Sequence, residues 1–324
     1  MLGALGTIIQ NALNHKLKSN IMRQFFILIV LFFVYQTAFA LKPDRKYPYR
    51  PEYFGLIYKE FKVKTEDNLK LNVWFFPAQD TIPWGSLWKN PKNWKNPKKR
   101  QYAVIDNQRR PTIIICPADA GNMAVDAQFA YFMCNHGYNI VTFDWRGFGG
   151  SDKWKINKDY LCYTEFFKDI DAVVDTVKTL KEVDPKNIGI YGESMSAFVS
   201  FPVFQQNKDL KCFIGRSLSA DFEGIRDYWA KNSKRRPLKL PSDYKKDYYP
   251  INIADKVNKP CLLITGELDK ITPPEGAQDI YSKLKGEKEI WIVKNVGHGV
   301  EFNKSIGLKM YINRMIIFYD KYLK

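Results

Sequence analysis

The sequence predicts an α/β fold: a mostly parallel, doubly wound sheet with helices on both faces and a short insertion late in the chain. Three observations predict it. After Pro111, short apolar runs alternate with amphipathic segments long enough for helices, the pattern of strands buried on both faces. Small, turn-forming residues punctuate the ends of those runs. The chain has 324 residues, 45% of them hydrophobic, which suits one large core better than two independent domains.

The elements follow in order. Phe25 to Tyr35 is an unbroken apolar run, preceded by Lys16, Lys18 and Arg23 and followed by Ala38-Phe39-Ala40. This describes a leader over residues 1–40, either a secretory signal cut after Ala40 or an uncleaved membrane anchor, with a buried helix as the remaining alternative. Residues 41–324 are then expected as one folded domain, exported (periplasmic or secreted) or held at a membrane. From Leu56 to Phe76 the alternation predicts a hairpin turning at Glu66-Asp67-Asn68. Residues 80–110 carry WKNPK twice in tandem and have little apolar periodicity. They read as an exposed basic insertion, either a seat for an anionic membrane or glycan surface or a segment with no such role.

Strands are expected at Thr112–Cys116, Asn139–Phe143, Asn187–Tyr191, Cys212–Ser217, Cys261–Thr265 and Glu289–Val293. Between them, helices are expected at Ala124–Asn135, closed by Gly137, and at Glu165–Lys181, with Phe166, Ile170, Val173, Val174 and Val177 inward. Further helices are expected at Met195–Gln206, broken or displaced near Pro202, at Glu275–Lys285 and at Phe302–Tyr322. Active sites on such sheets lie at the carboxyl ends of the strands.

The formal charge of +16 favours anionic surroundings, or reflects only a solvated lysine-rich surface. No nucleic-acid-binding motif accompanies it, so a nucleic-acid partner is not expected. The five cysteines, Cys116, Cys134, Cys162, Cys212 and Cys261, include no C-x-x-C pair, which argues against a disulfide scaffold or a zinc site. Cys116, Cys212 and Cys261 fall in apolar runs, where a thiol behaves as a small hydrophobe. No metal or cofactor is implied.

Chemistry concentrates at three strand ends. The strand ending at Tyr191 runs into Gly192-Glu193-Ser194-Met195-Ser196-Ala197 and then a helix. A serine at the apex of such a turn is held in strained backbone with its hydroxyl clear of the sheet. Ser196 stands where the last glycine of G-x-S-x-G is usual. A serine needs a base, and the chain has 3 histidines. His15 lies in the leader and His136 reads as a helix-end residue, so His298, past the last strand, is the expected base. Asp269, after the strand CLLIT, is the expected orienting acid, with Glu267 and Asp221 as competitors.

In combination, Asp144-Trp145-Arg146-Gly147-Phe148-Gly149-Gly150-Ser151, the Ser194 turn, Gly266-Glu267-Leu268-Asp269 with Pro273, and Gly297-His298-Gly299 resemble the α/β-hydrolase superfamily. The resemblance runs from about Leu56 to the end and lies near small-lid members such as monoacylglycerol lipases and acyl-protein thioesterase-like hydrolases. It implies that the loop after the first central strand supplies an oxyanion-hole amide. That loop reads Cys116-Pro117-Ala118-Asp119-Ala120-Gly121-Asn122, with Pro117 and Ala118 in place of His-Gly. By register the donors are the backbone amides of Asp119 and Met195. It also implies a lid at residues 221–253, here brief and cationic with Lys234, Arg235 and Arg236 adjacent. The expectation is a serine esterase or thioesterase acting on a small-molecule ester or acylated substrate. A serine peptidase on the same triad and a silent surface-binding protein on this scaffold are the alternatives.

Overall fold

A computed structural model describes residues 40–81, 108–232, 237–299 and 307–324. These belong to one compact unit, Ala40–Lys324. The apolar leader, the WKNPK repeats, Lys234, Arg235 and Arg236, and the first residues of the expected closing helix lie outside the described residues. Among the described residues no helix is long and apolar enough to cross a membrane.

The core is an 8-stranded sheet. In chain order its strands are β1 (Lys59–Lys64), β2 (Lys70–Phe76), β3 (Arg110–Ile115), β4 (Asn139–Phe143), β5 (Val183–Glu193), β6 (Leu210–Arg216), β7 (Cys261–Gly266) and β8 (Lys288–Val293). Their spatial order is β8-β7-β6-β5-β3-β4-β2-β1. β2 runs antiparallel to both β1 and β4, and every other pairing is parallel. The first hairpin turns where the sequence places it, with Asn68 at φ 70°. Asparagine tolerates that left-handed conformation better than most residues.

Alternation along the strands feeds two apolar layers. Along β3 and the residue after it, Ile114 and Cys116 point to one face, and Ile113 and Ile115 to the other. The first face is covered by α2 (Glu165–Val177) and α3 (Met195–Gln206), after α1 (Ala127–Cys134) has covered part of the second. The lid insertion opens with α4 (Phe222–Asn232). Then α5 (Pro274–Lys283) joins the first layer and α6 (Leu308–Leu323) the second. The five inward residues expected of α2 are all buried, and so are the five thiols.

Three helices depart from expectation. The first splits into a 3-10 turn at Met123–Asp126 and then α1, because Asn122 caps the turn through the Ala124 amide at 3.1 Å. α2 stops at Val177, where single turns lead the chain into β5. α3 is continuous through Pro202. Its first ten residues are all buried, and packing against α2 and β5 outweighs the missing proline donor.

β3 and β4 carry the chain to one side of the sheet, and β5 returns it to the other side of β3. The strand order therefore reverses at the carboxyl ends of β3 and β5, where a doubly wound sheet leaves a crevice.

Candidate active site

Ser194 lies in that crevice, between β5 and α3, at φ 54° and ψ −116°. Few residues other than glycine occupy such backbone, and here neighbours enforce it. The Ser194 amide donates to the Arg216 carbonyl at 2.9 Å, and its own carbonyl accepts from Phe198 at 3.0 Å. Gly192 must be glycine. A Cβ there would stand 2.5 Å from Ser200 Oγ and 2.7 Å from Ala197 Cα. Ser196 does more than fit in place of glycine. Its Oγ accepts from the Glu193 amide at 2.8 Å and lies 2.8 Å from the Cys116 carbonyl oxygen, which takes its proton. The hydroxyl thus pins the serine turn to the end of β3.

The loops after β7 and β8 complete the arrangement. His298 Nε2 is 3.0 Å from Ser194 Oγ, and His298 Nδ1 is 2.8 Å from Asp269 Oδ2. The Glu267 amide donates to Val293 and the Leu268 amide to Val296, at 2.9 and 2.8 Å. These bonds draw the two loops so close that a Cβ on Gly266 would lie 2.2 Å from the Val296 oxygen. The fully buried Asp269 carboxylate also accepts from the amides of Ile271 and Thr272, at 3.0 and 2.9 Å, and from Thr272 Oγ1 at 2.7 Å. Burial pushes its carboxyl up, but the His298 and Thr272 hydrogen bonds win and hold it below the ordinary carboxylate range.

The competing acids are occupied elsewhere. Glu267 accepts from the Asn295 amide at 2.9 Å, and Asp221 from the Gly224 amide at 2.8 Å in the first turn of α4. His136 sits past the end of α1, at the opposite edge of the sheet, and its carbonyl accepts from Lys324 Nζ at 2.9 Å.

Met195 opens α3, so its amide has no acceptor within the helix. The loop bearing Asp119 is tied down at several points. The Cys116 amide donates to the Tyr191 carbonyl at 2.9 Å, Trp145 Nε1 to the Pro117 carbonyl at 2.9 Å, and the Lys42 amide to the Asp119 carbonyl at 2.9 Å. Among the described residues no group of His, Cys, Asp and Glu is arranged to hold a metal.

Two features escaped the sequence reading. Thr272 touches both Asp269 and His298, since its Oγ1 is also 3.2 Å from His298 Nδ1. Its place three residues after an aspartate at a strand end is the signal for such a side-chain turn. Behind Ser194, the buried Arg216 pairs with Glu193, and Tyr191 lies 3.3 Å from that carboxylate and 3.0 Å from Tyr311. An arginine closing an apolar strand was the available sign.

A model of the prolyl oligopeptidase family matches residues 124–324, which hold Ser194, Asp269 and His298. The chain belongs to the prolyl oligopeptidase family. The family model starts after Asp119, so the loop that bears it lies ahead of the matched segment. Relatives of this prolyl oligopeptidase family chain include the uncharacterized protein YfhR of Escherichia coli (strain K12). It is 24% identical over 301 residues, covering 91% of this chain and 92% of that protein. Alpha/beta hydrolase domain-containing protein WAV2 of Arabidopsis thaliana is 21% identical over 252 residues, covering 74% and 71%. Among solved structures, the Pyrococcus furiosus esterase Pf2001 superposes with a TM-score of 0.64 at 22% identity, covering 87% of this chain and all of that one. Porphyromonas gingivalis dipeptidyl peptidase 4 superposes at 0.59 and 17% identity, covering 83% of this chain and 36% of its own. The fold is that of an α/β hydrolase, and the protein is a member of that superfamily.

Proposed function

We propose that the protein is a serine hydrolase cleaving carboxylic ester or thioester bonds through an acyl-enzyme on Ser194. The observation that carries this is the continuous Ser194–His298–Asp269 relay, with contacts of 3.0 and 2.8 Å. Asp269 accepts a hydrogen bond from Nδ1–H, which leaves Nε2 with its lone pair toward Ser194 Oγ. Nε2 takes the hydroxyl proton as Oγ attacks the acyl carbon, and Asp269 stabilises the imidazolium that forms. The oxyanion meets the amides of Met195 and Asp119, each such donor being worth about 3 kcal/mol. Collapse expels the alkoxide or thiolate, which leaves with the proton from Nε2. Water then repeats the sequence on the acyl carbon and releases the acid.

The ester reading draws on the esterase matched along its whole length, whereas the peptidase is matched along 36% of its own. Family membership keeps amide cleavage as the second reading. Fluorophosphonate labelling of the wild type and of Ser194→Ala tests the nucleophile, and equal labelling of both sinks it. Comparing p-nitrophenyl ester with aminoacyl arylamide turnover decides between ester and peptide. The Trp- and Lys-rich stretch 80–110 is proposed to seat the enzyme on an anionic surface. Deleting residues 84–100 then abolishes vesicle binding and spares ester turnover.

A further inference from the structure

The backbone at Ser194 is held in place by its neighbours, and two of them carry opposite charges. Glu193 and Arg216 stand in register across β5 and β6, so their side chains leave the sheet on the same face. There the Arg216 guanidinium pairs with the Glu193 carboxylate. The same two residues also flank Ser194 through the backbone. Glu193 precedes it, and the Arg216 carbonyl accepts from the Ser194 amide at 2.9 Å. The ion pair therefore closes a loop of bonds around the peptide that leads into the proposed nucleophile.

Two tyrosines extend the pair into a ring. Tyr191, two residues earlier on the same face of β5, sets its hydroxyl 3.3 Å from Glu193 Oε2 and 3.0 Å from the Tyr311 hydroxyl. Tyr311 hydrogen-bonds to Arg216 in turn. It stands on α6, which packs across β5 and β6. Trp291 stacks on Tyr311 with 6.3 Å between ring centres, and Phe129 meets Tyr191 at 5.6 Å. Both tyrosines are thus held by aromatic rings as well as by hydrogen bonds.

Stability is a weak reason for such an arrangement. Taking an ion pair out of water costs about as much as its attraction returns, and apolar side chains of similar volume often serve a fold as well. Geometry is a stronger one. At φ 54° Ser194 occupies backbone that must be enforced from outside. A turn of the preceding peptide would swing Oγ away from His298 Nε2, which lies 3.0 Å from it. Misplacement by about 1 Å can cost about a hundredfold in rate. Charge enters as well. Glu193 acts on Asp119 and Asp126, so its influence reaches the loop beyond the turn. Left unpaired, it would oppose negative charge developing at Ser194, and Arg216 keeps the anchor neutral.

We propose that Arg216 is a positioning residue: by clamping Glu193 against Tyr191 and Tyr311, it fixes the peptide before Ser194 and with it the direction of Oγ. This rests on Ser194 as the nucleophile.

The test measures fluorophosphonate labelling rate, p-nitrophenyl ester kinetics and denaturant unfolding on the full chain. Arg216→Met is expected to lower kcat and the labelling rate together by about tenfold or more, with KM within about twofold of wild type. Arg216→Lys, which keeps a cation on Glu193, recovers most of that loss. Tyr311→Phe leaves both ions in place and removes only a hydroxyl, so kcat falls about threefold. An Arg216→Met enzyme that unfolds cooperatively and keeps the wild-type kcat and labelling rate overturns the inference. A loss confined to KM does the same. If Arg216→Met does not fold, a wild-type kcat in Tyr311→Phe overturns it instead. A wild type that neither labels nor turns over the ester sinks the serine-hydrolase reading itself, and this inference with it.

Discussion

Thr272 serves two members of the proposed relay at once. Its hydroxyl gives its proton to Asp269 Oδ2 at 2.7 Å, so an oxygen lone pair faces His298 Nδ1 at 3.2 Å. Both Asp269 and Thr272 therefore accept from Nδ1–H, and the opposite tautomer would set a lone pair against both. Thr272→Val keeps the shape and removes the hydroxyl. The substitution also removes a charge-assisted bond to Asp269, but if only the contact with the imidazole, about 0.5–1.5 kcal/mol, is felt in the transition state, ester kcat/KM should fall about two- to thirteenfold, mostly in kcat. Thr272→Ser should recover most of the loss. A valine variant with unaltered kcat would show that the carboxylate and its two backbone amides position the imidazole unaided.

The strand–turn–helix that carries Ser194 was the most legible element, because its apolar run, its small residues and the following helix are all local in sequence. The Ser196 bridge was not legible, since its acceptor, Cys116, lies 80 residues away in the chain. Pro202 misled for a related reason. Local rules disfavour it inside a helix, and the packing of α3 against β5 and α2 keeps the helix continuous through it. The same crowding makes the turn intolerant of added atoms. In Gly192→Ala the new Cβ would meet Ser200 Oγ at 2.5 Å and backbone atoms of Ala197 at 2.7 and 2.8 Å. α3 must then move relative to β5. Stability should fall by about 1–3 kcal/mol in chemical denaturation, and fluorophosphonate labelling should slow with it. Wild-type labelling in a variant of wild-type stability would contradict the enforced geometry of Ser194.

Across the whole molecule, periodicity revealed the parallel sheet and placed every proposed catalytic residue on its carboxyl edge. It could not reveal the polar groups sealed inside. Arg146 is buried with Asp169 and reaches Asp67, 79 residues away. Asp144 holds the amides of Met123 and Gly150 together, each at 2.9 or 2.8 Å. Such pairings depend on which strands become neighbours, and charge counts along the sequence say nothing of that. A net charge of +16 even points away from an interior rich in acids. Asp126 shows the consequence for stability. It is 7% exposed, and its Oδ2 accepts from Thr142 Oγ1 at 2.9 Å. Burial pushes its carboxyl up to about 8, and the charges of Glu193 and Asp144 add to the rise against the Thr142 hydrogen bond. Through the neutral range the folded protein thus keeps a proton that the unfolded chain, titrating near 3.9, has released. A raised folded value contributes stability that is whole below about pH 4 and is lost as the pH climbs through about 8. Asp126→Asn is nearly isosteric and carries no charge at any pH, so it should abolish this loss. The stability of the variant relative to wild type should improve by at least about 1 kcal/mol between pH 6 and pH 9, measured by denaturant unfolding at each pH. A constant difference across that range would mean that Asp126 is ionised in the folded protein and that its charge is balanced within the core.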